Sequence, residues 1–139
     1  MNNDWKNDWP LFTKLIAERV NARKTDAQLS AEFGDTPVIW EGIVGDLSLL
    51  DDDLIPGLSM VMPSLNYKLK NGKPLNTDHL ALDVDDKTRE SWRACQTGQR
   101  VRFSTKIMKG LGSSGSVRVS MYEDSASLMV RMGLAELIK

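Results

Sequence analysis

The chain is poor in the residues from which common active sites and metal centres are built. Its 139 residues include one cysteine, Cys95, and one histidine, His79. A single cysteine excludes an intramolecular disulfide and favours a reducing cytoplasm. One cysteine and one histidine are also too few ligands for a structural zinc site. A Cys–His nucleophile pair is arithmetically available, but a thiol beside Trp92 near a helix end favours a buried structural cysteine.

Recognised catalytic motifs are lacking as well. The sequence contains no phosphate-binding loop, dinucleotide fingerprint, nucleophile elbow or zinc-protease motif. The aspartate-rich runs at 51–53 and 83–86 lack the glycine and glutamate of a calcium-binding EF-hand, so we interpret them as a solvated loop and a helix cap. We therefore predict a protein that is not an enzyme, with no catalytic residues, no metal site and no cofactor.

Long apolar runs are absent too, so no membrane span is indicated. The N-terminus has no basic region followed by an apolar core, as a secretory signal would. Hydrophobic residues make up 41% and charged residues 27% of the chain, which is typical of a soluble globular protein. We expect one compact cytoplasmic domain, since the length suffices for a single core.

Charge is distributed unevenly along the chain. Residues 1–56 carry five basic and eleven acidic side chains, a net charge of −6, whereas residues 57–139 carry thirteen and eight, a net charge of +5. The stretch 98–120 holds five cations and no acid. This asymmetry indicates a face for an anionic partner. The overall net charge of −1 is too low for binding nucleic acid by bulk charge alone.

The N-terminal quarter of the chain has helical patterning. Residues 1–9 are polar apart from two tryptophans, and we expect a loose arm there. Apolar residues then recur at helical spacing over Pro10–Ala22, with the proline suited to a first turn. A capping box beginning at Thr25 predicts a second helix that ends at Phe33. The arm and helices make up residues 1–36.

From residue 37 the apolar period changes to two, which is typical of strands. Asp86 is positioned to cap a short helix, with Trp92 as its anchor. The dipeptide at 71–72 is a hairpin signal. The tail after residue 127 alternates like a strand but ends in a segment that suits a helix. We predict strands over 38–44, 58–63, 79–85, 99–108 and 117–123, and the short helix over 87–95.

Five strands with a helix between the third and fourth resemble the OB-fold. The segments that carry this resemblance are "WEGIVGDL", "LALDVDD", "SWRACQTGQRVRFSTKI" and "SVRVSMYE". The pattern is most similar to tRNA-anticodon-type OB domains, and it covers about residues 37–139. The resemblance implies an α+β, mainly β fold: a five-stranded Greek-key barrel with N-terminal helices. It also implies a ligand groove beside the loop between strands four and five.

Alternation along the fourth strand predicts a row of cations. Val101, Phe103, Thr105 and Ile107 would face the core, with the basic residues of the strand facing outward. We expect the fifth strand to continue this row, with Val117, Val119 and Met121 facing inward. Phosphates would bind the cations and bases would stack on tyrosines, with Trp40 as a further stacking candidate. The predicted nucleic-acid-binding residues are Arg100, Arg102, Lys106, Lys109, Arg118, Tyr122 and Tyr67.

Two hypotheses for function remain open at this point. The first is single-stranded DNA or RNA binding by the cationic row, although outward Lys and Arg also serve to protect edge strands. The second is a protein-interaction or assembly domain that contacts a partner or a second copy. Its surface would be the N-terminal helix, the acidic loop at 51–53, or a methionine-rich face formed from Met60, Met62, Met108, Met121, Met129 and Met132. The alternative for the helix is packing on its own barrel.

Overall fold

The computed structural model describes residues 4–63, 67–77, 79–109 and 115–138. In these residues a 3₁₀ helix spans Asp4–Asn7, and three α-helices follow: α1 (Trp9–Asn21), α2 (Asp26–Phe33) and α3 (Asp86–Arg93). No helix in the described ranges is long and apolar enough to cross a membrane. The strands are β1 (Thr36–Val44), β2 (Gly57–Val61), β3 (Leu75–Thr77), β4 (Leu80–Asp83), β5 (Arg100–Ile107), β6 (Val117–Met121), β7 (Ala126–Val130) and β8 (Glu136–Ile138).

The strands form two sheets, so the fold is mixed α+β, as predicted. The larger sheet has the order β4-β2-β1-β5-β8 and its pairs are antiparallel. The smaller sheet has the order β3-β7-β6. An isolated parallel bridge joins Asp83, the last residue of β4, to Leu134, two residues before β8. There the Asp83 amide donates to the Gly133 carbonyl at 3.1 Å, and the Ala135 amide donates to the Asp83 carbonyl at 2.9 Å.

Three strands lie outside the five-strand prediction. β3 and β8 have three residues each, which is too short for a period of two to stand out in the sequence. β7 and β8 resolve the ambiguous tail as strands. The predicted fifth strand corresponds to β6, but β6 pairs with β7 in the smaller sheet and not with a strand of the larger one.

The predicted second helix is confirmed with its cap, whereas the first helix begins and ends one residue earlier than predicted, and the third begins one residue and ends two residues earlier. Thr25 and Gln28 form the expected capping box at the start of α2. The cap of α3 is Asp85 rather than Asp86, since the Asp85 carboxylate accepts hydrogen bonds from the amides of Lys87 and Thr88 at 3.0 and 2.8 Å. The Asp85 amide in turn donates a hydrogen bond to the hydroxyl of Thr88, three residues later, which completes a capping box.

An aromatic cluster fills the space beside β1. β1 pairs with β2 only at Ile43 and Val44, so most of the edge of β1 that faces away from β5 has no strand neighbour. The 3₁₀ helix and α1 pack there instead. The Trp40 indole donates its Nε1 hydrogen to the Trp5 carbonyl at 3.0 Å. The cluster consists of five aromatic side chains whose neighbouring ring centroids lie 4.9 to 5.6 Å apart: Trp5, Trp9, Phe12, Phe33 and Trp40.

The predicted loose arm is therefore wrong for residues 4–9. Trp5 is 7% exposed and Trp9 is 2% exposed, and both belong to the hydrophobic core. The surrounding polar residues made the segment look like an arm in the sequence. The two large rings fix it to the strands, because burying an aromatic side chain outweighs the entropy lost in ordering a short segment.

We predict that Trp5→Ala destabilises the protein by about 3 to 5 kcal/mol, the usual cost of removing a large aromatic ring from a core. The measurement is urea denaturation followed by circular dichroism. The control is Tyr122→Ala, since Tyr122 is 55% exposed and its truncation should cost within about 0.5 kcal/mol. Equal stabilities for the two variants would show that the N-terminal segment is not part of the core.

Candidate nucleic-acid interface

β5 carries the cationic row that the sequence predicts. Val101, Phe103, Thr105 and Ile107 are buried, as the alternation requires. On the other face Arg100, Arg102 and Lys106 are exposed, and Ser104 is half-buried. The outward face of this strand is therefore cationic over most of its length.

β5 is an interior strand of its sheet. It pairs with β1 from Ile107 to Arg100 on one side, and with β8 from Arg102 to Ser104 on the other. Protection of an open edge is a common reason for outward lysine and arginine. That reason does not apply to Arg102, because both of its neighbouring positions are occupied by strands.

Arg100 and Arg102 line a groove between β5 and the N-terminal segment. Glu41 from β1 and Trp9 and Pro10 at the start of α1 are among the residues opposite them, and its volume is about 280 Å³. Glu41, Trp9 and Pro10 were not predicted as site residues from the sequence. Their proximity to Arg100 and Arg102 depends on tertiary contacts, including the pairing of β1 with β5.

A second, larger cavity with a volume of about 830 Å³ lies beside the groove. Asn7 and Ile39 line both, so the two are neighbours along β1. Lys6 and Lys87 bring positive charge to the larger cavity, whereas Asp4 and Glu136 bring negative charge. In the smaller groove Asp8 and Glu41 line the same space as Arg100 and Arg102, so acidic and basic side chains are equal in number in the groove and in the cavity.

The three cations of the row differ in their partners. Lys106 lies 2.7 Å from the Asp35 carboxylate. This hydrogen bond and the lysine charge hold the pKa of Asp35 below its ordinary value, so the Asp35 carboxylate is ionised at neutral pH. Neither Arg100 nor Arg102 forms an ion pair with any described residue, although Glu41 is the cross-strand neighbour of Arg102. Two guanidinium groups of the row are thus available to an anion.

The remaining predicted site residues lie elsewhere. The expected continuation of the row onto the next strand is wrong, because Arg118 belongs to the smaller sheet, where it lines a separate pocket with Arg131. Tyr122 follows the same strand, and its carbonyl accepts a hydrogen bond from Lys73 Nζ at 2.6 Å. Tyr67 is half-buried against the core. None of these three residues lines either groove beside the β5 row.

Two further side-chain assignments need correction. Trp40 is 1% exposed inside the aromatic cluster, so it cannot stack on a base. Met121, expected to face inward, is 47% exposed, because it lies where β6 ends. Lys109 is exposed just after β5. The glycine- and serine-rich loop that follows it falls mostly on residues 110–114, which lie outside the described residues.

Cys95 and the aspartate runs have structural surroundings. The Cys95 side chain is buried, as predicted, and burial raises the pKa of its thiol. Asp51 is bound by Arg93 at 2.6 and 2.9 Å. Across the described part of the chain, no three His, Cys, Asp or Glu side chains lie together in a way that could hold a metal ion.

No family model, curated protein or solved structure matches the chain.

Proposed function

We propose that the protein is a non-enzymatic module that binds single-stranded nucleic acid through Arg100 and Arg102. The observation that carries the proposal is a pair of exposed guanidinium groups, without an ion-pair partner among the described residues, on an interior strand whose other face is core. Side chains two residues apart on a strand are about 7 Å apart. Each guanidinium presents a planar set of donors that suits phosphate oxygens.

We further propose that the larger sheet is an OB-type barrel. Support comes from the order of pairing: β1 with β2, β2 with β4, β1 with β5 and β5 with β8. The helix between β4 and β5 and the parallel bridge from β4 to Leu134 are further features of that arrangement. In this proposal β3, β6 and β7 are insertions between the strands of the barrel.

The groove suits a flexible single-stranded nucleic acid, whose phosphates would bind Arg100 and Arg102. Grooves of this kind bind single strands by phosphate contacts, with stacking on aromatic side chains adding affinity. Trp9 is the aromatic residue among the lining residues, and it is 2% exposed. We therefore expect binding dominated by phosphate contacts, with little sequence preference and dissociation constants of about 10⁻⁴ to 10⁻⁶ M at physiological salt.

The alternative proposal is a protein-interaction domain. Its N-terminal helix is a poor surface for a partner, since Phe12 and Ile16 are fully buried in the core of the same chain. Of the methionines, Met60, Met62 and Met132 are buried, and Met108, Met121 and Met129 are 37 to 47% exposed. The loop between β1 and β2 offers a stronger basis for a protein contact.

We predict that Arg100→Gln/Arg102→Gln weakens binding of a labelled single-stranded oligonucleotide, tested as DNA and as RNA by fluorescence anisotropy over a range of salt. Each phosphate contact contributes about 0.7 to the salt slope for single strands, so the slope should fall by about 1.4 in magnitude. The matched control is Lys14→Gln/Lys24→Gln, which removes the same charge from exposed positions on and after α1. Circular dichroism establishes that both variants fold.

Equal loss of binding in the two double variants would show that net charge alone determines the affinity, which would contradict a binding site at β5. A wild-type protein that binds neither oligonucleotide, even at low salt, would refute the proposed function as a whole.

We predict that Asp35→Asn strengthens oligonucleotide binding, because it releases Lys106 from its ion pair. Asn tolerates the positive φ of 55° at this position. The salt slope should rise in magnitude by about 0.7, for one added phosphate contact. Asp124→Asn, at an exposed position after β6, makes the same change of charge and should leave the slope unaltered. An identical effect of both substitutions would show that Lys106 is not near the bound strand.

A further inference from the structure

An exposed apolar patch lies on the loop between β1 and β2. Leu54 is 90% exposed, Ile55 is 72% exposed and Leu49 is 53% exposed. We call these three residues the apolar loop patch. Three large aliphatic side chains presented together by one short loop are costly in water, and such patches commonly mark sites of protein contact.

The loop that presents the patch is held in a defined conformation. The Asp52 carboxylate accepts hydrogen bonds from the amides of Leu54 and Ile55 at 3.0 and 2.7 Å. The Gly57 amide donates to the Leu49 carbonyl at 3.0 Å, which closes the loop at its base. A preorganised loop loses little conformational entropy when a partner binds.

An ion-pair cluster ties the same loop to α3. Arg93 donates two hydrogen bonds to the Asp51 carboxylate, and Arg89 approaches it at 3.7 Å. The hydrogen bond from Arg93 is the main cause that holds the pKa of Asp51 below its ordinary value. Asp51 is therefore ionised at neutral pH and bound chiefly by Arg93, while Arg89 lies closer to Asp86, at 3.3 Å.

A small apolar pocket lies against the patch. Its volume is about 160 Å³, and Leu49, Ile55, Pro56, Leu58 and Ala81 are among its lining residues. The outer faces of β2 and β4 contribute to it, and neither strand is a neighbour of β5. A pocket of this size suits one apolar side chain, the usual form of an anchor at a protein interface.

The surroundings of the patch are acidic. Asp46 and Asp83 line the pocket, and Asp53 is exposed beside Leu54. Residues 45–57 include four aspartates and no lysine or arginine, and α3 offsets the charge of one of them, Asp51, through Arg89 and Arg93. A phosphate backbone would be repelled here, and a symmetric contact between two copies would bring like charges together. The complementary partner is positively charged.

We propose that the apolar loop patch docks a cationic amphipathic segment of another protein. One apolar side chain of that segment would occupy the pocket, and its lysine or arginine residues would face Asp46, Asp53 and Asp83. This interaction is independent of nucleic-acid binding, because it uses different strands and charge of the opposite sign.

The test uses a labelled synthetic amphipathic peptide of leucine and lysine, with binding followed by fluorescence anisotropy. Leu54→Ser/Ile55→Ser should weaken binding by about tenfold or more, as expected for loss of central apolar contacts. Met121→Ser/Tyr122→Ser, which removes two exposed apolar side chains from the end of β6, should bind like the wild type. A peptide of leucine and glutamate should not bind.

Equal binding of the leucine–lysine peptide by both double variants, or no binding by the wild type, would overturn the proposal. Equally tight binding of the leucine–glutamate peptide would also overturn it, because charge would then play no part. Sedimentation velocity tests whether a second copy of the chain occupies the patch. A wild-type dimer that Leu54→Ser/Ile55→Ser abolishes would assign the patch to self-association instead and overturn the proposal. Oligonucleotide binding by this variant should be unchanged, so failure here is distinguishable from failure of the proposed function.

Discussion

The antiparallel pairing of β1 with β5 sets both the core face of the larger sheet and the position of its outward cations. It extends from Thr36 opposite Ile107 to Ile43 opposite Arg100. In this register Trp40 lies opposite Phe103 in the core, and Glu41 lies opposite Arg102 on the outer face. Because side chains alternate between faces, a slip of one residue would expose one set and bury the other. The free energy of core packing therefore fixes the position of the cations.

The same strand explains why the N-terminal segment is ordered. Most of β1 lacks a second strand neighbour, and the aromatic cluster around Trp40 covers it. Trp9 belongs to that cluster and also lines the groove beside Arg100. One segment thus completes the core and forms a wall of the candidate site, so the stability of the protein and the shape of the groove are coupled.

Local signals in the sequence predicted those features that depend on neighbouring residues. The capping box at Thr25 and the alternation over Val101–Ile107 are of this kind, and both are confirmed. Long-range features could not be predicted. The sheet to which β6 belongs and the Lys106–Asp35 pair are decided by tertiary pairing between segments far apart in the chain. Two isolated tryptophans in a polar segment likewise give no periodic pattern.

The register of β1 against β5 turns Arg100 and Arg102 outward, and disulfide cross-linking measures that register. Ile39 and Ser104 are register partners on the outer face, so Ile39→Cys/Ser104→Cys should form a disulfide on oxidation in a Cys95→Ala background. Ile39→Cys/Lys106→Cys should stay reduced, since diagonal positions are about 7 to 8 Å apart. Preferential cross-linking of the 39–106 pair would mean a different register and would contradict the account.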